Sequence, residues 1–280
     1  MHNRPFIAAA ALLLCLAAVA RGAPATRPAA AAAAKVDLDV AAKGWAGDDG
    51  KDDVRAVLKS AAAQILRHVP DAEAPRVRVG PGSGPITWFK RDPDGAIVVK
   101  LNAGSRCWAQ YAYQFAHETT HILCGYREGE QANLWFEETM CEAGSLFALR
   151  RMAEVWATDP PYRNWRSYSK SLSEYADERM KAHRLPAGTK LSKWYLENAE
   201  ALRANPTGRE RNSAVAIALL PLIEAEPEHA WTALRHLNDG RAKDPIPFDE
   251  YLRRWHEHTP EAHRGFVKKV AAELGVEIGK

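Results

Sequence analysis

The chain has 280 residues with a formal net charge of +3, 46% hydrophobic and 26% charged residues. That length supports a substantial core, and the balance is that of an ordinary globular chain. There is neither the concentrated basic face of a nucleic-acid binder nor a polybasic membrane patch, so neither kind of partner is expected.

His2 and Arg4 precede an apolar stretch, Phe6 to Ala20, that ends in Ala18-Val19-Ala20. At about fifteen residues it is short for a membrane span and reads as a signal peptide over residues 1–20, removed on export. The mature protein is therefore expected to be secreted or periplasmic, with no stable membrane insertion after cleavage. Cys15 follows Leu14, a poor match to a lipidation site. Residues 21–35 are Ala/Pro-rich and read as a linker. The folded unit is expected from about Val36.

Helical spacing of Val54, Val57, Leu58, Ala61, Ile65 and Leu66 predicts a helix over 53–68, closed by Pro70. Short β-branched runs follow at 77–79, 86–90 and 96–101. The last two flank Asp92-Pro93-Asp94-Gly95, a turn sequence that predicts a hairpin. Ser105 is a candidate cap for a helix from Arg106 to Leu123, stopped by Gly125. A polar loop over 126–133 leads to a helix over 134–156, which Pro160-Pro161 ends. Beyond lie helices over 165–183, 192–204, 213–224, 228–237, 248–256 and 260–274. The pattern is α+β, with a mixed domain over 36–156 and an all-helical half over 157–280.

The first of the two central helices carries His117-Glu118-Thr119-Thr120-His121. Residues four apart share a helix face, so His117 and His121 can offer nitrogens to one ion. Glu118, about 100° round from His117, can reach a water beside that ion and act as general base. Phe115, Ala116, Ile122 and Leu123 bury the other side. Polar groups in such a helix are costly unless paired or metal-bound. A third protein ligand leaves one zinc position open, and Trp135-Phe136-Glu137-Glu138 supplies it. Glu138 is taken as the ligand and Glu142, one turn on, as the carboxylate that orients a ligating histidine. Glu137, about 100° round the helix, is the alternative ligand.

This arrangement resembles the gluzincin metallopeptidases, the thermolysin and aminopeptidase N type, over about residues 97–152. The resemblance implies a zincin-like catalytic domain holding one Zn²⁺ on His117, His121 and Glu138, with Glu118 as general base in the hydrolysis of a peptide or protein substrate. In that family a strand along the cleft pairs with the substrate, a role that falls to residues 97–101. The sequence departs from the pattern in two places. Sixteen residues separate His121 from Glu138, slightly fewer than usual, and Thr139 stands where the aminopeptidases carry Gly. No exopeptidase amine-binding motif precedes the helix. A catalytically inactive metal- or peptide-binding relative is the alternative reading.

Tyr195, His229 and Tyr175 are candidates to stabilise the tetrahedral intermediate. Export leaves Cys107, Cys124 and Cys141. Cys124 and Cys141 either pair to brace the two central helices or sit as small buried hydrophobes, and a cysteine in place of Glu138 as metal ligand is a further alternative. The aromatic run Trp156, Tyr162, Trp165, Tyr168 and Tyr175 reads first as helix packing and second as a cleft lining.

Overall fold

The computed structural model describes residues 36–47, 49–72, 75–125 and 128–278. The expected signal peptide and linker lie outside the described residues. Four strands, β1 (Asp37–Val40), β2 (Arg76–Pro81), β3 (Ile86–Thr87) and β4 (Ile97–Leu101), form one sheet in the order β1-β2-β4-β3. The β1–β2 and β2–β4 pairs are parallel and β3–β4 is antiparallel. The hairpin turns at Gly95, whose φ of 82° suits a residue without a side chain. Its N–H donates to the carbonyl of Asp92 at 2.8 Å.

Helix α1 (Lys51–Leu66) connects β1 to β2 and buries Val54, Val57, Leu58, Ala61 and Ile65, the predicted apolar face. Helices α2 (Trp108–Leu123) and α3 (Leu134–Trp156) follow the sheet and form the centre of the molecule. After a 3-10 turn over Arg163–Tyr168 come α4 (Ser169–His183), α5 (Leu191–Ala204), α6 (Arg209–Ala225), α7 (Pro227–Arg235) and α8 (Phe248–His258). A second 3-10 turn, Glu261–His263, opens α9 (Arg264–Glu273). The described residues thus make a mostly helical, mixed α/β structure with nine α-helices and one small sheet. The expected boundary at Trp156 falls on the last residue of α3, which packs on α1 and α2 and on α4 and α6. No helix among the described residues is long and apolar enough to cross a membrane.

Three expectations are corrected. Asp37–Val40, given no element from sequence, is the strand at one edge of the sheet. Ser105 does not cap α2: it and Arg106 have φ of 54° and 57°, and the capping position is Cys107, without a side-chain bond. Asp49 holds this tight entry instead. Its carboxylate accepts from the Arg106 N–H at 3.0 Å and from the Tyr111 hydroxyl at 3.0 Å. Finally, β4 lies inside the sheet between β2 and β3, so its backbone has no free edge for a peptide. The edge strand on that side of the sheet is β3.

Close packing of α2 on α3 needs a glycine. A Cβ on Gly144 would stand 2.2 Å from Oγ1 and 3.3 Å from Cβ of Thr120. The Ser145 hydroxyl donates to the Tyr113 carbonyl at 2.9 Å, a second tie between the helices.

Candidate metal centre

The predicted periodicity holds on α2, and His117, Glu118 and His121 all line one cleft of about 480 Å³. Glu138 of α3 faces them. Its Oε2 lies 3.3 Å from Nε2 of His117 and its Oε1 lies 3.5 Å from Nε2 of His121. Two donors bound at about 2.0–2.1 Å to a tetrahedral zinc stand about 3.3–3.4 Å apart. Each Glu138 oxygen is close to that separation from one imidazole nitrogen.

The electrostatics point the same way. Burial alone would raise the Glu138 carboxyl, yet hydrogen bonds from His117 and His121 hold it well below the usual carboxylate range. Burial would likewise depress the His121 imidazole, but Cys141, Glu137 and Glu138 around it hold it well above its ordinary value. The pocket asks for positive charge at the His121 imidazole, a demand that a divalent cation meets as well as a proton does.

The ring of His121 is fixed from behind by Glu137, the residue first weighed as an alternative ligand. Glu137 Oε1 lies 2.8 Å from Nδ1 of His121, which turns Nε2 toward Glu138. Its Oε2 accepts from Asn238 at 2.9 Å and from Arg241 at 3.1 Å. The expectation for Glu142 is corrected accordingly. That carboxylate touches neither histidine, accepting instead from the hydroxyls of Tyr113 and Ser213. The 100° between Glu137 and Glu138 puts one carboxylate behind the histidine and the other in front.

Glu118 is 2% exposed, and its Oε2 accepts from the hydroxyl of Thr87 at 2.6 Å. Thr87 belongs to the edge strand β3, so sheet and helix meet at this carboxylate. Cys141 is a further potential donor: its sulfur and one nitrogen each of His117 and His121 lie within 4.8 Å of one another. Burial pushes its thiol pKa up, which works against the thiolate that a metal needs. Cys107, Cys124 and Cys141 are all free, so the buried pair Cys124 and Cys141 is not a disulfide here.

Of the three candidates for stabilising a tetrahedral intermediate, only Tyr175 lines the cleft. Tyr195 stacks on Trp135, and His229 pairs with His263 at 3.1 Å, exposed. Most of the aromatic run is packing: Trp165 stacks on Trp108 with centroids 5.2 Å apart and also meets Trp156. A second cavity of about 410 Å³ is lined by Val77, Phe115, Leu123 and others, but by none of the histidines or glutamates above.

Sequence reasoning missed Thr87, Asn238 and Arg241. Only Glu137 carried a signal, as the direct neighbour of the expected ligand. No family model matches the chain, and no curated protein or solved structure matches it either.

Proposed function

We propose that the chain is an exported zinc-dependent hydrolase of peptide or other amide bonds, built on a zincin-like arrangement. The observation that carries this reading is the Glu138 carboxylate set at 3.3 and 3.5 Å from two imidazole nitrogens, with Glu118 on the same helix as those histidines. His117, His121 and Glu138 would hold the ion. When bound, zinc supplies Lewis acidity towards the scissile carbonyl and makes water a nucleophile near neutral pH.

The protein's own groups do the rest. Glu118 accepts the proton of the attacking water and passes it to the leaving amine, which keeps the proton count balanced through the cycle. Thr87 donates to one carboxylate oxygen and leaves the other to face the reactants. Glu137 keeps Nε2 of His121 directed at the ion position. The outer edge of β3 can pair with an extended peptide, a role that the sequence alone had given to residues 97–101. The N-terminal pattern supports export.

Metal content and turnover, measured together, test the reading. Protein purified without chelator is expected to hold about one zinc per chain. His121→Ala is expected to lose it, whereas Glu118→Gln keeps it and loses turnover by about 10²–10⁴-fold. Full activity in Glu118→Gln, or no zinc uptake by the wild type, would overturn it. Tight zinc binding with no cleavage of any peptide would favour the inactive metal- or peptide-binding reading.

A further inference from the structure

The cleft holds positive charge that the hydrolytic groups do not use. Arg179, on α4, lies with its guanidinium carbon 5.0 Å from the ring centroid of Tyr113 and 5.1 Å from that of Tyr175. It donates from Nη2 to the Tyr175 oxygen at 2.7 Å. Arg209, the first residue of α6, lines the same cleft. Among the described residues, neither guanidinium has a carboxylate within 4.0 Å, and most of their five N–H donors each have no protein acceptor. The carboxylates of the cleft are engaged elsewhere: Glu118 by Thr87, Glu138 by the two imidazoles, Glu142 by Tyr113 and Ser213. Glu142 acts on Arg179 only through its field.

A third observation is independent of these charges. Asn212, in the first turn of α6, is 4% exposed and lines the cleft. Its Nδ2 donates to the Pro206 carbonyl at 2.8 Å, but its buried Oδ1 has no donor among the described residues. An orphaned buried acceptor is costly, so it calls for an N–H from a ligand. Two guanidiniums with donors to spare and one acceptor without a donor line the same cleft, a set that matches a carboxylate with an amide N–H close by.

Distance along the cleft follows from helix geometry. Tyr113, against which Arg179 lies, precedes His117 by one turn of α2, about 6 Å. An extended peptide advances about 3.3 Å per residue, and Arg179 stands a further 5.0 Å from the Tyr113 ring, so the subsite lies within a few residues of the reaction centre.

We propose that this end of the cleft is a carboxylate subsite, and that the substrates are peptides with a carboxylate within a few residues of the scissile bond. Arg179 and Arg209 take the carboxylate and Asn212 Oδ1 accepts the neighbouring N–H. The proposal rests on reading the site as a peptide hydrolase. The carboxylate comes either from a free C-terminus or from an Asp or Glu side chain, and the guanidinium chemistry is the same for both.

Three synthetic octapeptide libraries test it: one with free C-termini, one amidated at the C-terminus, and one with Asn and Gln in place of Asp and Glu. Cleavage by the zinc-loaded wild type and retention by zinc-loaded Glu118→Gln are both read by mass spectrometry. At least tenfold enrichment of carboxylate-bearing peptides is expected in both readouts. Its loss in the amidated library assigns the C-terminus, and its loss in the Asn/Gln library assigns the side chain. Arg179→Met and, at an exposed position, Arg209→Gln are each expected to erase most of that preference, with Arg179→Lys restoring part of it. Equal cleavage and retention with and without the carboxylate overturns the subsite while leaving the hydrolase reading intact. So does a preference unchanged in both arginine variants, or retention of no peptide at all. If nothing is cleaved, the hydrolase reading falls, and retention by Glu118→Gln still decides the subsite.

Discussion

Glu137 Oε1 lies 2.8 Å from Nδ1 of His121, while its other oxygen is held by Asn238 and Arg241. A carboxylate on the back of a ligating imidazole fixes its tautomer and raises its basicity. Glu137→Gln is expected to weaken zinc binding by about 10–100-fold, read by chelator competition, without removing any ligand. The same change takes the carboxylate from a buried guanidinium, so a loss of about 3–5 kcal/mol in urea denaturation is expected alongside it. Unchanged zinc affinity would show that the contact does not serve the metal.

The third ligand is decided by a pair of variants. Glu138 bridges both imidazoles as a carboxylate held well below its usual range, whereas burial raises the Cys141 thiol. Glu138→Ala is expected to cost at least about 100-fold in zinc affinity, the scale of losing a direct ligand, and Cys141→Ala less than about tenfold. The reverse order would move the site to His117, His121 and Cys141.

Gly144 sets how closely α3 approaches α2. An added methyl meets Thr120 at 2.2 and 3.3 Å and Trp231 at 3.3 Å. Overpacking of this kind costs about 1–3 kcal/mol, against a gain of up to about 1 kcal/mol from the better helix propensity of alanine. Gly144→Ala should therefore be net destabilising by thermal melting, and Thr120→Ala in the same chain should recover part of the loss.

His68 makes stability pH-dependent. Burial, then Arg67 and Arg151, lower its pKa from 6.5 to about 4, with Glu228 opposing. Because the folded value is the lower one, the unfolded chain binds the extra proton first. This contribution is intact above 6.5, declines as pH falls and reaches its full loss below about 4. Between pH 7 and pH 5 it amounts to about 1.5–2 kcal/mol. His68→Gln is expected to be less acid-sensitive than the wild type by about that amount, measured as urea midpoints at the two pH values. Identical acid sensitivity would rule out this role.

Much of the helical framework was legible in the chain. Residues 134–156 match α3 end to end, and Gly125, with a φ of 70°, stands just after α2 as expected. Those features depend on local periodicity and on what single residues tolerate. The strand order was not legible: residues 97–101 look like any short apolar run, and only pairing with both β2 and β3 makes them internal. The roles of Glu137 and Glu142 resisted for a related reason. Helical phase separates Glu137 from Glu138, but the position of α2 against α3 decides which of the carboxylates reaches His121. Thr87, Asn238 and Arg241 are ordinary polar residues far along the chain from their partners, and no local pattern marks them.

The separation of 104 positions between Glu137 and Arg241 also imposes an order of events on a newly made chain. Both histidines and all four nearby glutamates are in place once α3 has been synthesised, yet the carboxylate behind His121 lacks its guanidinium until residue 241 has been made and docked. A nascent or truncated chain would thus carry the ligands without the brace. On the proposed reading, full metal affinity would belong to the finished, folded protein, and the proposed centre would mature last.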